Sequence, residues 1–278
     1  MKDWLAYLLS FLFLALITGL WLWGKGMDVW SRTDMEADVT VFFCEHSYLE
    51  HLVRQPINTA SNVFMLFFGL RMCLWARRQQ RQGRSAPNLM QRQPLYAYTY
   101  GLTIVLLALF SSFFHAALIH LAQQLDMAGV NCMALFPLFY NLHRLHNIRQ
   151  RGDSAHSTRS DLWRFWGGYW FTALLLTLLK WQLNAIAVIA VLTLLNIALA
   201  IHVERQRPGR TNTGYLWACL FLLVLAGMLY IFDIKKILCD EYAWIHPHAV
   251  WHIGAGFSAW VCFLYFWTEG QSEQGATV

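Results

Sequence analysis

The 278-residue chain is 57% hydrophobic and only 13% charged, with 14 Trp and a formal net charge of +5. Soluble domains carry about 25% charged residues, so this composition excludes an ordinary soluble domain and points to a single polytopic membrane domain. Its basic residues form no tract of the kind that binds nucleic acid, and its six Cys lack the CxxC spacing of a structural zinc module.

The first apolar run, residues 4–23, is long enough to cross a bilayer. Lys2 precedes it and no small-x-small cleavage site stands before Lys25, so it reads as an extra transmembrane helix in preference to a signal anchor. Residues 25–56 are polar and acidic, setting Asp28, Asp34, Glu36, Asp38, Glu45 and Glu50 against Lys25, Arg32 and Arg54. Seven further apolar segments follow, near 58–76, 95–120, 124–142, 163–180, 185–203, 214–232 and 247–268. The shorter ones reach spanning length with their flanking aromatics. The expected fold is therefore all-α, a polytopic membrane bundle with a seven-helix core and an extra N-terminal helix. Its parts are a helix at 1–24, an exterior acidic segment at 25–56, the seven-helix domain at 57–269 and a cytoplasmic tail at 270–278.

Arginine marks alternate loops. Residues 77–94 carry Arg77, Arg78, Arg81, Arg84 and Arg92 with no acid. Residues 143–164 carry Arg144, Arg149, Arg151, Arg159 and Arg164 against Asp153 and Asp161, and residues 204–210 carry Arg205, Arg207 and Arg210 against Glu204. The positive-inside rule makes these loops cytoplasmic and puts residues 25–56, 121–124, 180–184 and 233–246 on the exterior face. The chain has no Asn-x-Ser/Thr sequon, which suits a bacterial plasma membrane. Cys44 and Cys239 are the two cysteines outside the apolar segments, and both fall on the exterior, oxidising side. They read as a disulfide, the alternative being two thiols too far apart to bridge. Cys73, Cys132, Cys219 and Cys262 read as buried packing.

The last apolar segment opens with His246-Pro247-His248-Ala249-Val250-Trp251-His252. Proline is tolerated in a first helical turn, and His248 and His252 then share one helix face, where two imidazoles can hold one metal ion. The alternative is an interfacial aromatic belt whose histidines meet headgroups and water. His115 stands about one and a half turns below the outer end of its segment, at the same depth as the pair. Ser111 lies one turn deeper on the same face, and Asp126 opens the next helix at the exterior edge. Three imidazoles, a carboxylate and a hydroxyl at one depth suit a catalytic zinc with an open position. Zinc would bring the pKa of water to about 7. Asp126 would hold that water and take its proton, and Ser111 would donate to a developing oxyanion. Each member also has a structural alternative. Ser111 can bond back to its own helix, Asp126 can favour a helix N-terminus, and His115 can be a core histidine. Paired imidazoles on facing helices also ligate haem, which would colour the protein red. His143, His146, His156 and His202 fall on the cytoplasmic side, while His120 and His246 lie outside without matching spacing. His46 and His51 belong to the exterior segment.

In their order, Cys44-Glu45, Asn58-Thr59-Ala60-Ser61-Asn62, Ser111-x-x-x-His115, Asp126 and His248-x-x-x-His252 resemble the alkaline ceramidases. That family is grouped with adiponectin-receptor-like proteins among seven-helix membrane hydrolases. The resemblance covers about residues 42–268, leaving out the first helix and the tail. It implies a zinc amidase that splits ceramide into a sphingoid base and a fatty acid. His115, His248 and His252 would be the zinc ligands, Ser111 and Asp126 would stand beside the metal, and Cys44 would be joined to Cys239. Asn58, Ser61 and Asn62 read as structural hydrogen-bonding groups. Two features depart from the family. Its eukaryotic members hold calcium in the acidic stretch, but here only Glu45 matches, with Phe42, Ser47 and Gln55 where stronger oxygen ligands are expected. Calcium takes six to eight oxygens, so it is not expected as a cofactor. The extra N-terminal helix is the second departure. The expected function is zinc-dependent hydrolysis of ceramide or a similar membrane lipid amide to release a fatty acid. A zinc-dependent lipid esterase and a catalytically silent lipid sensor are the alternatives.

Overall fold

A computed structural model describes residues 3–30, 42–82, 88–151 and 158–270, without the side chains of residues 82, 150 and 151. Arg32, Asp34, Glu36 and Asp38 of the acidic segment, Arg84, Asp153, His156 and nearly all of the tail lie outside the described residues. The regular elements of the described chain are all helices, with no strand beyond one isolated bridge between Lys25 and His51. Its order is α1 (Trp4–Trp23), α2 (Pro56–Ser61), α3 (Val63–Gln82), α4 (Leu89–Arg92), α5 (Leu95–Ala117), α6 (His120–Arg151), α7 (Arg159–Leu178), α8 (Ala185–Gln206), α9 (Thr213–Ile234) and α10 (Pro247–Trp267).

Six stretches are long and apolar enough to cross a membrane: Trp4–Trp23, Pro56–Arg81, Leu95–Ala117, Ala185–Gln206, Thr213–Ile234 and Pro247–Trp267. The second joins α2 to α3 through Asn62. α6 and α7, at 32 and 20 residues, match them in length and carry more polar groups. The protein is a polytopic membrane bundle, with α1 outside a core of seven long helical units. Its helices follow local chemistry. A capping box between Thr158 and Asp161 starts α7, and the side chains of Asn184 and Asn212 cap α8 and α9. α5 stops where Leu118 turns into the left-handed region at φ 52, and α6 begins two residues later. The sequence expectation of a start near 124 is therefore four residues late, and Asp126 sits in the second turn of α6, not at its head.

Helices in lipid gain little from burying apolar surface and associate instead by close packing and interhelical hydrogen bonds. α3 and α5 meet at Gly69 and Gly101, where a Cβ on Gly69 would lie 2.7 Å from the Gly101 carbonyl oxygen. Around that contact runs a core of rings, among them Tyr96, Tyr100, Phe136, Tyr140, Phe165 and Tyr169. Tyr100 stacks on Phe136 at 4.6 Å and Tyr96 on Trp166 at 5.4 Å. Asn196 Nδ2 of α8 donates to the Ala134 carbonyl of α6 at 2.9 Å, and Ser258 of α10 donates to the Cys219 carbonyl of α9 at 3.0 Å. At one end of the bundle, Arg144 pairs with Glu269 at 2.9 Å. The other end gathers His115, His248 and His252.

Candidate metal centre

The C-terminus of α5 is where the site begins. A helix leaves its last carbonyls without partners, and the stretch before α2 supplies them here. Arg54 N donates to the Ala116 carbonyl at 3.0 Å, Gln55 N to the His115 carbonyl at 3.1 Å, and Arg54 Nη1 to the Ala117 carbonyl at 2.9 Å. This docking fixes His115 in the final turn and sets α2 beside it. Glu45 in turn caps α2, its two oxygens each accepting an amide hydrogen at 2.7 Å, from Ile57 and Asn58. α10 enters from the opposite side, with Pro247 as its first residue.

His115, His248 and His252 converge from α5 and α10, with one potential ligand atom from each within 4.8 Å of the others. They are 1%, 3% and 3% exposed. His115 Nε2 and His248 Nε2 are 3.1 Å apart. Two nitrogens bound at 2.0–2.1 Å in a tetrahedron stand about 3.3 Å apart, so the spacing suits a shared zinc ion. It leaves no room for a porphyrin between the two rings, which removes the haem alternative for this pair.

Hydrogen bonds settle which nitrogen two of the histidines offer. Gln55 Nε2 donates to Ser47 Oγ at 3.0 Å, so Gln55 Oε1 is the acceptor facing His115 Nδ1 at 2.8 Å. Ser61 Oγ donates to the Asn58 carbonyl at 2.8 Å and so accepts from His252 Nδ1 at 2.7 Å. With Nδ1 protonated in both, each Nε2 carries a lone pair. Metal-ligating imidazoles are commonly held in this way by a partner at the other nitrogen. The donor set therefore fits a zinc ion.

Ser111 Oγ lies 3.4 Å from His252 Nε2. Asp126, half-buried on α6, is a hydrogen-bonding neighbour of Ser111 and lies in the field of Lys180. All five residues singled out from the sequence are thus brought to one place. His246 is the N-cap residue of α10, and the other described histidines are elsewhere: His120 packs on Trp181, His46 faces Glu241 at 3.6 Å, His51 stacks on Trp21, and His146 faces Asp161 at 3.1 Å. His202 meets Arg149, and His143 packs against Tyr96 and Phe165.

Cys44 is joined to Cys239, with 5.6 Å between their Cα atoms. The other cysteines of the chain are free. Glu45 and its neighbours are engaged in hydrogen bonds. Both Glu45 oxygens accept amide hydrogens, Ser47 accepts from Gln55, and the Phe43 carbonyl accepts from Lys236 Nζ. Three participants escaped the sequence reading in these roles: Gln55 and Ser61 as partners of the imidazoles, and Asp233 behind them. Only Asp233 left a readable signal, as an acid at the very end of an apolar segment.

A family model described as Ceramidase matches residues 36–276. The chain belongs to the ceramidase family. Membership implies a hydrolase, an amidohydrolase, that acts on ceramide. The matched region takes in every residue of the histidine site and leaves out α1. No curated protein matches this ceramidase-family chain.

Proposed function

We propose that the protein is a zinc-dependent intramembrane amidohydrolase. It cleaves the amide bond of ceramide or a similar lipid amide and releases a fatty acid. The observation that carries the reading is the convergence of three buried imidazoles, two with Nδ1 committed to hydrogen bonds, beside Ser111 and Asp126. His115, His248 and His252 hold the metal. Zinc bound there supplies Lewis acidity that makes water a nucleophile near neutral pH. Asp126 accepts the proton of the attacking water and delivers it to the departing nitrogen. Ser111 donates a hydrogen bond to the carbonyl oxygen as negative charge develops on it. A C–O bond forms and the C–N bond breaks, leaving a fatty acid, which gives up its proton to solvent, and a free amine.

The histidine end faces the exterior in this account and the arginine-rich loops face the cytoplasm, with residues 57–269 forming the catalytic domain. The acyl chain lies in an apolar cavity lined by Tyr100, Val130, Met133, Trp251, Ala255 and Phe266, whose lining on α10 begins at Trp251, the residue before His252 in the chain. The test is fatty-acid release from a fluorescent ceramide by detergent-purified protein. Wild type is expected to turn over, to stop after chelation and to recover with zinc, while His248→Ala stays inactive. Zinc-loaded wild type that leaves ceramide intact would contradict the amidase reading.

A further inference from the structure

The three histidines are held in two different ways. His115 and His252 are fixed through Nδ1 by Gln55 and Ser61. His248 Nδ1 is buried with no hydrogen-bond partner among the described residues. Its backbone is what is held. Pro247 has no N–H, so the amide of His248 is the first donor of α10, and no helical carbonyl lies within its reach. The N-cap residue His246 gives no side-chain cap. The acceptor comes instead from the end of α9. Asp233 Oδ1 accepts from His248 N at 3.3 Å, and its Oδ2 accepts from Cys44 N at 3.0 Å. Asp233 is 0% exposed.

We infer that Asp233 is a positioning residue for His248, an inference that rests on the metal reading of the three histidines. One carboxylate joins the head of α10 to the segment that carries the disulfide. That segment lies over the site: the Phe43 ring packs 4.3 Å from the ring of His248 and 4.9 Å from that of His115. Lys236, three residues after Asp233, donates through Nζ to the Phe43 carbonyl, and Cys239 closes the disulfide to Cys44. The strand of contacts from α9 thus sets both the backbone of His248 and the ring that packs on it. A carboxamide at position 233 has a single acceptor oxygen and turns an N–H group toward one of two amide donors. One buried amide then loses its acceptor, and the first turn of α10 moves with it.

Zinc affinity, measured by competition with a chromophoric chelator, tests this in wild type, Asp233→Asn and Asp161→Asn. Asp161 is also a buried carboxylate at a helix start, that of α7, where it faces His146, and its substitution perturbs a cap outside the cluster of His115, His248 and His252. Asp233→Asn is expected to weaken zinc binding by roughly ten- to a hundredfold, as loss of a ligand's support does. Asp161→Asn is expected to lower the melting temperature and keep wild-type zinc affinity. Wild-type affinity in Asp233→Asn, or an equal loss in Asp161→Asn, overturns the inference and leaves the metal reading standing. Wild type that binds no zinc overturns the metal reading itself. Should Asp233→Asn fail to fold, Asp233→Glu replaces it: the carboxylate displaced by one methylene is expected to weaken zinc several-fold, and full affinity contradicts the inference.

Discussion

An imidazole offers a lone pair in a fixed direction only when its other nitrogen is committed. Gln55 and Ser61 do this for His115 and His252, from positions 60 and 191 residues away in the chain. Ser61→Ala and Gln55→Ala are therefore expected to weaken zinc by roughly ten- to a hundredfold while the bundle stays folded. Chelator competition reads the first effect and thermal unfolding the second; unchanged affinity would remove both from the site. The convergence of His115, His248 and His252 was legible in the sequence, since i,i+4 spacing and loop polarity put the three at one depth. Their partners were not, because a glutamine or serine names no acceptor until the fold brings it one. Glu45 adds a pH dependence at this scale. Burial pushes its carboxyl up to about 8 from an ordinary 4.5, against the opposing pull of the Asn58 and Ile57 amides. With the folded value raised, the folded chain keeps a proton that the unfolded chain gives up, so stability falls as pH rises from about 4.5 to about 8. Glu45→Gln is expected to flatten that slope in melting temperature, and an unchanged slope would show that Glu45 does not carry it.

Among the elements, the long helices were legible from their apolar lengths, and their ends less so. The turn between α5 and α6 depends on Leu118 adopting a left-handed conformation that leucine rarely takes, so the sequence places the start of α6 four residues late. The short α2 and its break at Asn62 were absorbed into one segment, because Pro56 and the amide-rich run after it read equally well as a helix start. The disulfide was legible from topology, as the two cysteines share one side and the rest lie within apolar segments. It closes a loop spanning 195 residues and ties the Cys44 segment to the α9–α10 connection. Cys239→Ser is expected to cost about 2–4 kcal/mol of stability, read as a lower melting temperature in detergent. A variant that melts with wild type and responds to reductant as wild type does would contradict that role.

For the whole molecule, a composition with few charges and many Trp was enough to specify an all-α membrane bundle, because lipid admits little else that leaves no backbone group unpaired. The arrangement of helices around the site was not in the composition. It arises from contacts such as Gly69 on Gly101 and the docking of residues 54 and 55 on the end of α5. The proposed orientation rests on the arginine loops, and single cysteines test it. Glu241→Cys is expected to react with an impermeant thiol reagent added outside intact cells, and Arg205→Cys only after permeabilisation. The reverse pattern would turn the site to the cytoplasm. The proposed hydrolysis depends on a zinc ion held by three histidines. Elemental analysis of the purified protein, gel-filtered into metal-free buffer without chelator, tests it. One zinc per chain is expected in wild type, and close to none in His115→Ala and His248→Ala. Zinc-free wild type that still hydrolyses ceramide, or a full zinc complement in both variants, would contradict it.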